Sequence, residues 1–158
     1  MITILRGDLF TADEQTLVNT INCVGVMGKG IALEFKSRYP EMFVKYKDLC
    51  DRKLIEVGKL WLYKTPNKWI LNFPTKDHWK NKSEIEYLEL GLNKFIETYR
   101  ERGITSIAFP LLGANNGGLK PELVLDLMIN RLRECDVPIS IYVSDNLDIS
   151  KWPKEILS

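Results

Sequence analysis

Two apolar, β-branched segments of the chain each lead directly into a glycine-rich loop and then into a segment with helical spacing. The first unit is TLVNTINCV followed by GVMGKG, and the second is ITSIAFPLL followed by GANNGGLK. Nearly continuous apolar runs are typical of strands that are covered on both faces. The chain is therefore predicted to form an α/β sheet with helices packed on both sides.

The rest of the chain continues this alternation of elements. The patterns predict strands at residues 2–7, 16–24, 59–65, 68–74, 104–112 and 138–144, and helices at 31–39, 40–53, 83–103 and 121–135. Ser83 and Glu86 are predicted to form a capping box at the start of the third helix. Residues 1–158 are expected to form a single domain, in which the tail 145–158 forms a short helix or packs loosely.

Composition excludes several classes of protein. The 158 residues carry 22 basic and 21 acidic side chains, so a strongly basic nucleic-acid-binding coat is excluded but a local basic patch is not. Cys23, Cys50 and Cys135 are widely spaced and His78 is the one histidine, so we expect reduced thiols and no metal site. The sequence shows neither a signal peptide nor a membrane-spanning segment, and a cytoplasmic protein is expected.

The first glycine loop does not match the common nucleotide-binding motifs. Gly25, Gly28 and Gly30 have the spacing GxxGxG rather than GxGxxG, and no Lys-Ser or Lys-Thr pair follows as in a Walker A loop. Taken alone, this loop is as typical of a tight strand-to-helix turn as of a ligand site. The second loop changes that balance, because two such loops at the carboxyl ends of strands can hold one diphosphate between them.

Two further strand ends carry polar side chains of interest. Asp8 follows the first strand, where it either accepts a hydrogen bond from an amine of a ligand or caps a turn. Lys76 follows the strand at residues 68–74. Most lysines at such positions are simply solvated, but a partly desolvated lysine at a ligand-binding edge has a lowered pKa and acts as a nucleophile or as an acid or base.

A short basic and aromatic stretch comes directly after Lys76. Trp79 lies beside His78 and Lys80, with Lys82 two residues further on. Such a stretch either contacts nucleic-acid phosphates while stacking on a base, or forms a solvated turn before the next helix.

Four motifs occur in order and together resemble the macrodomain family. They are RGDLF, LVNTINCVGVMGKGIALEFKSRYPE, ILNFPTKDHW and PLLGANNGGL, and they span Arg6 to Tyr142. Within the family they resemble the DarG type, an antitoxin that removes ADP-ribose from DNA. The resemblance implies a three-layer α/β/α fold with a mixed central sheet. Full DarG antitoxins have a further domain that contacts the toxin, so we expect either an isolated domain or a short homologue.

The resemblance also implies the roles of individual residues. Asp8 and the Leu9 backbone would contact adenine, Asn22 would lie beside the distal ribose, and Lys76 would be catalytic. The related terminal ADP-ribose protein glycohydrolase adds an aspartate in the second loop, but Gly117 stands here, which disfavours a two-residue mechanism. The full expected ADP-ribose site is Asp8, Leu9, Asn22, Gly25, Val26, Met27, Gly28, Lys29, Gly30, Thr75, Gly113, Ala114, Asn115, Asn116, Gly117 and Gly118.

The expected function is that of an ADP-ribosyl glycohydrolase that needs no cofactor. It would remove ADP-ribose from thymine bases of single-stranded DNA, and so repair DNA modified by a DarT-type toxin. A monomer is expected, with His78, Trp79, Lys80 and Lys82 contacting the DNA. Two alternatives are a module that binds ADP-ribose without cleavage, and a hydrolase of protein-linked or small-molecule ADP-ribose esters.

Overall fold

A computed structural model of the chain describes residues 1–114 and 117–157. These residues form a seven-stranded sheet of β1 (Ile2–Arg6), β2 (Thr16–Ile21), β3 (Trp61–Lys64), β4 (Trp69–Pro74), β5 (Ile107–Pro110), β6 (Ile139–Val143) and β7 (Glu155–Ile156). The spatial order is β3-β4-β2-β5-β6-β1-β7. The five central strands are parallel, and β3 and β7 pair antiparallel at the two edges.

Two helical layers cover the two faces of this sheet. They are formed by α1 (Gly30–Arg38) and α2 (Pro40–Asp51) on one side, and by α3 (Ile85–Thr98) and α4 (Pro121–Leu132) on the other. Successive strand residues point to opposite faces. Leu17 and Ile70 accordingly belong to the core beneath α1 and α2, whereas Val18 and Leu71 belong to the core beneath α3 and α4. The predicted three-layer α/β/α fold with a mixed central sheet is confirmed.

The position of β2 fixes where the loops of interest meet. It pairs in parallel with β4 on one side and with β5 on the other, in a register that places Ile21 opposite Pro74. The carboxyl ends of parallel strands lie at one edge of a sheet. The segments that follow β2, β4 and β5 therefore leave the sheet side by side.

Two predicted element boundaries differ from those observed. The second strand ends at Ile21 rather than at residue 24, because the next residues form a tight loop around the Asn22 side chain. The predicted capping box is wrong: the N-cap residue of α3 is Glu84, without a side-chain capping bond. Ser83 is instead buried, and its amide donates a hydrogen bond to the Gly117 carbonyl (2.9 Å).

The tail is packed against the sheet rather than loose, and it forms a strand rather than a helix. Its strand β7 pairs with β1, and the Leu147 side chain is buried. The guanidinium group of Arg6 donates hydrogen bonds to three backbone carbonyls at the start of the tail, those of Ser144, Asp145 and Leu147. These contacts hold residues 144–147 at the same sheet edge as the other loops.

Helix α3 approaches β4 so closely that one position admits no side chain. A Cβ atom at Gly91 would lie 2.3 Å from Cζ of the buried Phe73 ring. We therefore expect Gly91→Ala to lower the free energy of unfolding by about 1–3 kcal/mol, since overpacking outweighs the roughly 1 kcal/mol gain in helix propensity. Chemical denaturation measures the change.

Gly28→Ala is the matched control. The nearest atom to its added Cβ would be the Val26 Cγ1, at 3.6 Å. We expect its free energy of unfolding to stay within about 0.5 kcal/mol of the parent value. A Gly91→Ala protein that is as stable as the parent would contradict the close helix–sheet packing.

Candidate functional site

A cavity of about 470 Å³ opens at the carboxyl-terminal edge of the sheet. Both glycine loops and the segment after β4 contribute to its wall, although they are far apart in the sequence. The residues on this wall that were expected to bind ligand or to catalyse are Asn22, Val26, Gly28, Lys29, Gly30, Thr75, Lys76, Gly113, Ala114 and Gly117. Three residues that were expected to contact DNA also line it, namely Trp79, Lys80 and Lys82.

Other expected site residues lie away from this wall. The side chains of Leu9 and Met27 are buried in the core beneath α1 and α2, so their backbone groups alone are available to a ligand. Gly25 packs against the Lys47 and Cys50 side chains. The residues expected in the site but absent from the cavity wall are Asp8, Leu9, Gly25, Met27, His78 and Gly118. Asn115 and Asn116 lie outside the described residues.

Asp8 caps a short 3-10 turn that follows β1. Its Oδ1 atom accepts a hydrogen bond from the Phe10 amide (2.9 Å), and its carbonyl accepts one from the Thr11 amide (3.0 Å). The turn leaves the Asp8 side chain exposed at the same edge of the sheet as the cavity. Its expected contact with adenine stays a prediction.

The Asn22 side chain holds the first glycine loop together. Its Nδ2 donates to the Val26 carbonyl (2.7 Å), and its Oδ1 accepts from the Val24 amide (3.1 Å). The Tyr46 hydroxyl lies 2.8 Å from both the carbonyl and the Oδ1 of Asn22. Burial raises the pKa of Tyr46, so this hydroxyl stays protonated and acts as a donor. Sequence reasoning missed Tyr46, whose only signal is its apolar position on α2.

The start of helix α1 faces the cavity. Lys29 occupies the N-cap position in an extended conformation and makes no side-chain capping bond. Gly30 begins the helix with a φ of +55°, a left-handed value that favours glycine. Amide groups in the first turn of a helix lack intrahelical acceptors and attract anions. This wall therefore suits a phosphate group.

The second glycine loop is closed so tightly that position 117 must be glycine. A Cβ atom there would lie 2.2 Å from the Gly113 carbonyl oxygen and 2.5 Å from the Ser83 Oγ. The Leu119 amide donates to the same Gly113 carbonyl (3.2 Å). No carboxylate side chain fits at position 117 in this loop.

Lys76 sits on a segment that is hydrogen-bonded to the first loop. The Thr75 amide donates to the Ile21 carbonyl (2.9 Å), and the Cys23 amide donates to the Asp77 carbonyl (3.2 Å). The Cys23 thiol also lies 3.4 Å from the Lys76 carbonyl. These contacts fix the backbone on both sides of Lys76, and its side chain is half-buried at the cavity.

The Lys76 ammonium is in an unfavourable environment for its charge. Burial, and after it the positive charge of Lys29, hold the pKa of Lys76 below its usual range. Four lysines line the cavity, Lys29, Lys76, Lys80 and Lys82, with no aspartate or glutamate among its described wall residues. A lysine with a lowered pKa and a wall rich in positive charge thus occur together, although the chain as a whole carries a net charge of only +1.

The turn after Lys76 is fixed by Asp77 and Asn81, which were not singled out from the sequence, and by His78, which was expected to contact DNA. The Asp77 Oδ1 accepts hydrogen bonds from the His78 amide (2.7 Å) and from the Asn81 Nδ2 (3.1 Å). The second of these bonds is the main reason that the pKa of Asp77 is lowered. The His78 Nδ1 accepts from the Lys80 amide (3.1 Å). Aspartate and asparagine are common in turns because their side chains bond to nearby backbone groups, which is the signal that the sequence offered here.

Residues 1–114 and 117–157 contain no group of three or more His, Cys, Asp or Glu side chains placed to hold a metal ion. None of their helices is long and apolar enough to cross a bilayer.

Comparison with protein families and known structures gives consistent matches. Residues 18–128 match the family model described as Macro domain. The DNA ADP-ribosyl glycohydrolase of Mycobacterium tuberculosis is 48% identical over 147 residues, which cover 90% of this chain and 42% of that protein. The structure of the macrodomain of Mycobacterium tuberculosis DarG superposes with a TM-score of 0.87 at 48% identity, covering 90% of this chain and 97% of that one.

A third match contains a bound ligand. Thermosipho africanus DarTG in complex with ADP-ribose superposes with a TM-score of 0.89 at 39% identity, covering 95% of this chain and 43% of that one. The chain thus spans less than half the length of the curated relative from Mycobacterium tuberculosis. The resemblance to DarG-type macrodomains that the sequence motifs indicated is confirmed.

Cys23 provides a test of the packing between the first loop and the Lys76 segment. Burial is the main cause that raises the pKa of the Cys23 thiol to about 12. At pH 8 only about one thiol in ten thousand would then be ionised, compared with about a quarter of ordinary thiols. We expect iodoacetamide to alkylate Cys23 of the folded protein roughly a thousandfold more slowly than free glutathione, measured by peptide mass mapping.

The same reaction in denaturant is the control. Unfolding exposes the thiol and returns its pKa to the ordinary range, so Cys23 should then react at the rate of a free cysteine. Fast alkylation in the folded protein would contradict the burial of Cys23 against the Lys76 segment.

Proposed function

This chain belongs to the macrodomain family, and from that premise we propose that it is a hydrolase that removes ADP-ribose from thymine bases of single-stranded DNA. This chain spans 42% of the length of the curated relative. The activity, substrate and partners of that relative are therefore proposed for this chain. The observation that carries it is the half-buried Lys76, which faces a cavity shared by two glycine loops.

The cavity accounts for binding of the diphosphate. The first turn of α1 and the second glycine loop would present amide groups to its oxygens, and Lys29 would add a positive charge. Both loops contribute to one wall. In the proposed orientation of ADP-ribose, its adenine would lie towards Asp8 and Leu9 at the end of β1, and its distal ribose towards Asn22 and Lys76.

Lys76 is the proposed catalytic residue. Hydrolysis breaks the bond between the anomeric carbon of the distal ribose and the thymine base. The hydroxyl of water ends on that carbon, and the base takes a proton. A neutral Lys76 amine either attacks the carbon directly, and water later displaces it, or it takes a proton from the attacking water. Both routes need the uncharged amine, which the lowered pKa of Lys76 favours.

In the proposed hydrolysis Lys76 acts without the help of a carboxylate side chain at position 117. The steric closure of the second loop around Gly117 leaves no room for a side chain there. A lysine–aspartate pair across the cavity is thus not part of the proposed mechanism. The loop would serve instead to hold the diphosphate while Lys76 acts on the ribose.

The biological role follows from the proposed activity. We propose that the protein antagonises a DarT-type toxin by repairing the DNA that the toxin modifies. No disulfide joins Cys23, Cys50 or Cys135, which fits the reducing cytoplasm in which such a reaction would take place.

Lys76→Ala tests the proposal on a single-stranded oligonucleotide that carries ADP-ribose on one thymine. We expect the release rate to fall roughly a hundred- to ten-thousandfold, as for loss of a catalytic acid, base or nucleophile. Binding of free ADP-ribose, measured by calorimetry, should persist. Lys94→Ala is the control, because the Lys94 side chain forms a surface ion pair with Glu97 (3.6 Å) and lies outside the cavity.

Other outcomes of this assay point to other functions. Undiminished release by Lys76→Ala would refute the catalytic role of Lys76. Tight binding of ADP-ribose by the parent protein, with no release from DNA or from protein conjugates, would identify a binding module. Release from protein esters alone would identify a hydrolase of another class.

The pH dependence of the rate tests the state of the Lys76 amine. If the neutral amine acts, the rate at saturating substrate rises with pH and levels off above the pKa of Lys76. Lys29→Met removes a positive charge that disfavours the ammonium form, so the pKa of Lys76 rises and the inflection moves to higher pH. The rate of this variant at pH 7 should fall and recover in alkaline buffer.

Lys82→Met is the matched control for charge in the cavity. Lys82 lines the same cavity but is not among the groups that shift the pKa of Lys76. Its removal should leave the position of the inflection unchanged. If the inflection of the rate against pH stays in place or moves to lower pH in Lys29→Met, the proposed effect of the Lys29 charge on the pKa of Lys76 is contradicted.

A further inference from the structure

Trp79 is an exposed aromatic side chain with no role in the core. Its exposed fraction is 48%, and it belongs to neither apolar core, whereas the other three tryptophans are partly buried. Exposed tryptophans are uncommon because their burial is favourable. This one lines the cavity that contains Lys76.

The turn that carries Trp79 is held by several hydrogen bonds within the chain. The Asp77 carboxylate accepts hydrogen bonds from the His78 amide and the Asn81 side chain, and the Asn81 amide donates to the His78 carbonyl (3.0 Å). The Lys80 amide donates to the His78 ring (3.1 Å). The indole therefore projects from a rigid support, which lowers the entropy lost when a ligand binds to it.

Cationic side chains flank the indole on the same wall. The Lys80 Nζ lies 5.1 Å from the centroid of the Trp79 ring, and Lys80 and Lys82 both line the cavity. Aromatic rings alternating with lysines are the elements by which proteins bind single-stranded nucleic acid, since rings stack on bases and lysines neutralise phosphates.

Lys76 lies deeper in the cavity than Trp79, and this difference in depth determines which base of a bound strand would contact the indole. Lys76 is half-buried, whereas Trp79, Lys80 and Lys82 are exposed. A thymine whose ADP-ribose reacts beside Lys76 must lie near the interior of the cavity. The next base of the strand then reaches the rim.

We propose that Trp79 is a specificity-determining residue that stacks on the base next to the modified thymine, while Lys80 and Lys82 contact the flanking phosphates. This inference rests on the proposed glycohydrolase function and adds to it the recognition of the strand. A peptide or small-molecule conjugate of ADP-ribose offers no neighbouring base to stack on. Trp79 would therefore favour DNA-linked ADP-ribose over these other conjugates.

Two substrates that differ only in neighbouring nucleotides test the inference. One is a nine-nucleotide strand with ADP-ribose on its central thymine, and the other is ADP-ribosylated thymidine. We expect Trp79→Ala to raise KM for the strand roughly tenfold. KM for the thymidine conjugate should stay within about twofold, and so should the calorimetric Kd for free ADP-ribose. Trp79→Phe retains a ring and should keep most of the affinity for the strand.

The possible results distinguish a failure of the proposed role of Trp79 from a failure of the proposed glycohydrolase function. An active parent protein whose Trp79→Ala variant loses nothing on the strand, or loses equally on both substrates, overturns the role of Trp79. A parent protein that is inactive on both substrates overturns the glycohydrolase function instead. In that case, binding of the unmodified strand, followed by fluorescence anisotropy, still tests Trp79: weaker binding of Trp79→Ala supports base stacking and equal binding overturns it.

Discussion

The parallel pairing of β2 with both of its neighbours is the constraint on which the site depends. Because Ile21 lies opposite Pro74, the chain leaves β2 and β4 at the same level of the sheet. The next residues, Asn22 and Thr75, therefore line the same cavity. The hydrogen bond from the Thr75 amide to the Ile21 carbonyl extends this pairing one residue beyond the strand, directly before Lys76.

The segment that carries Lys76 also joins the two glycine loops. It is bonded to the first loop at Cys23 and to the second through the Ser83 amide, which donates to the Gly117 carbonyl. Each such bond contributes only about 1 kcal/mol, but together they remove freedom from a surface segment. A catalytic group needs this support, since small displacements from a productive geometry are costly in rate. We therefore propose that Cys23 and Ser83 position the segment that carries Lys76.

The features that depend on a local sequence pattern could be predicted from the sequence. Apolar runs located the central strands, and the glycine loops and Lys76 were placed at one edge because parallel strands share their carboxyl ends. Strand β7 was missed, since two residues have no period and Glu155–Ile156 becomes a strand only by pairing with β1. Ser83 has the sequence of a helix cap, yet tertiary contacts with Gly117 outweigh that local preference.

A crystal structure of the protein with bound ADP-ribose is the most direct test of the central claim, that one cavity holds the diphosphate between two loops and places the distal ribose beside Lys76. We expect the diphosphate to contact amide groups at the start of α1 and in the second loop. We also expect the Lys76 Nζ to lie about 3–4 Å from the anomeric carbon, as an attacking or proton-transferring group must. A distal ribose that points away from Lys76, or a diphosphate bound outside the two loops, would contradict it.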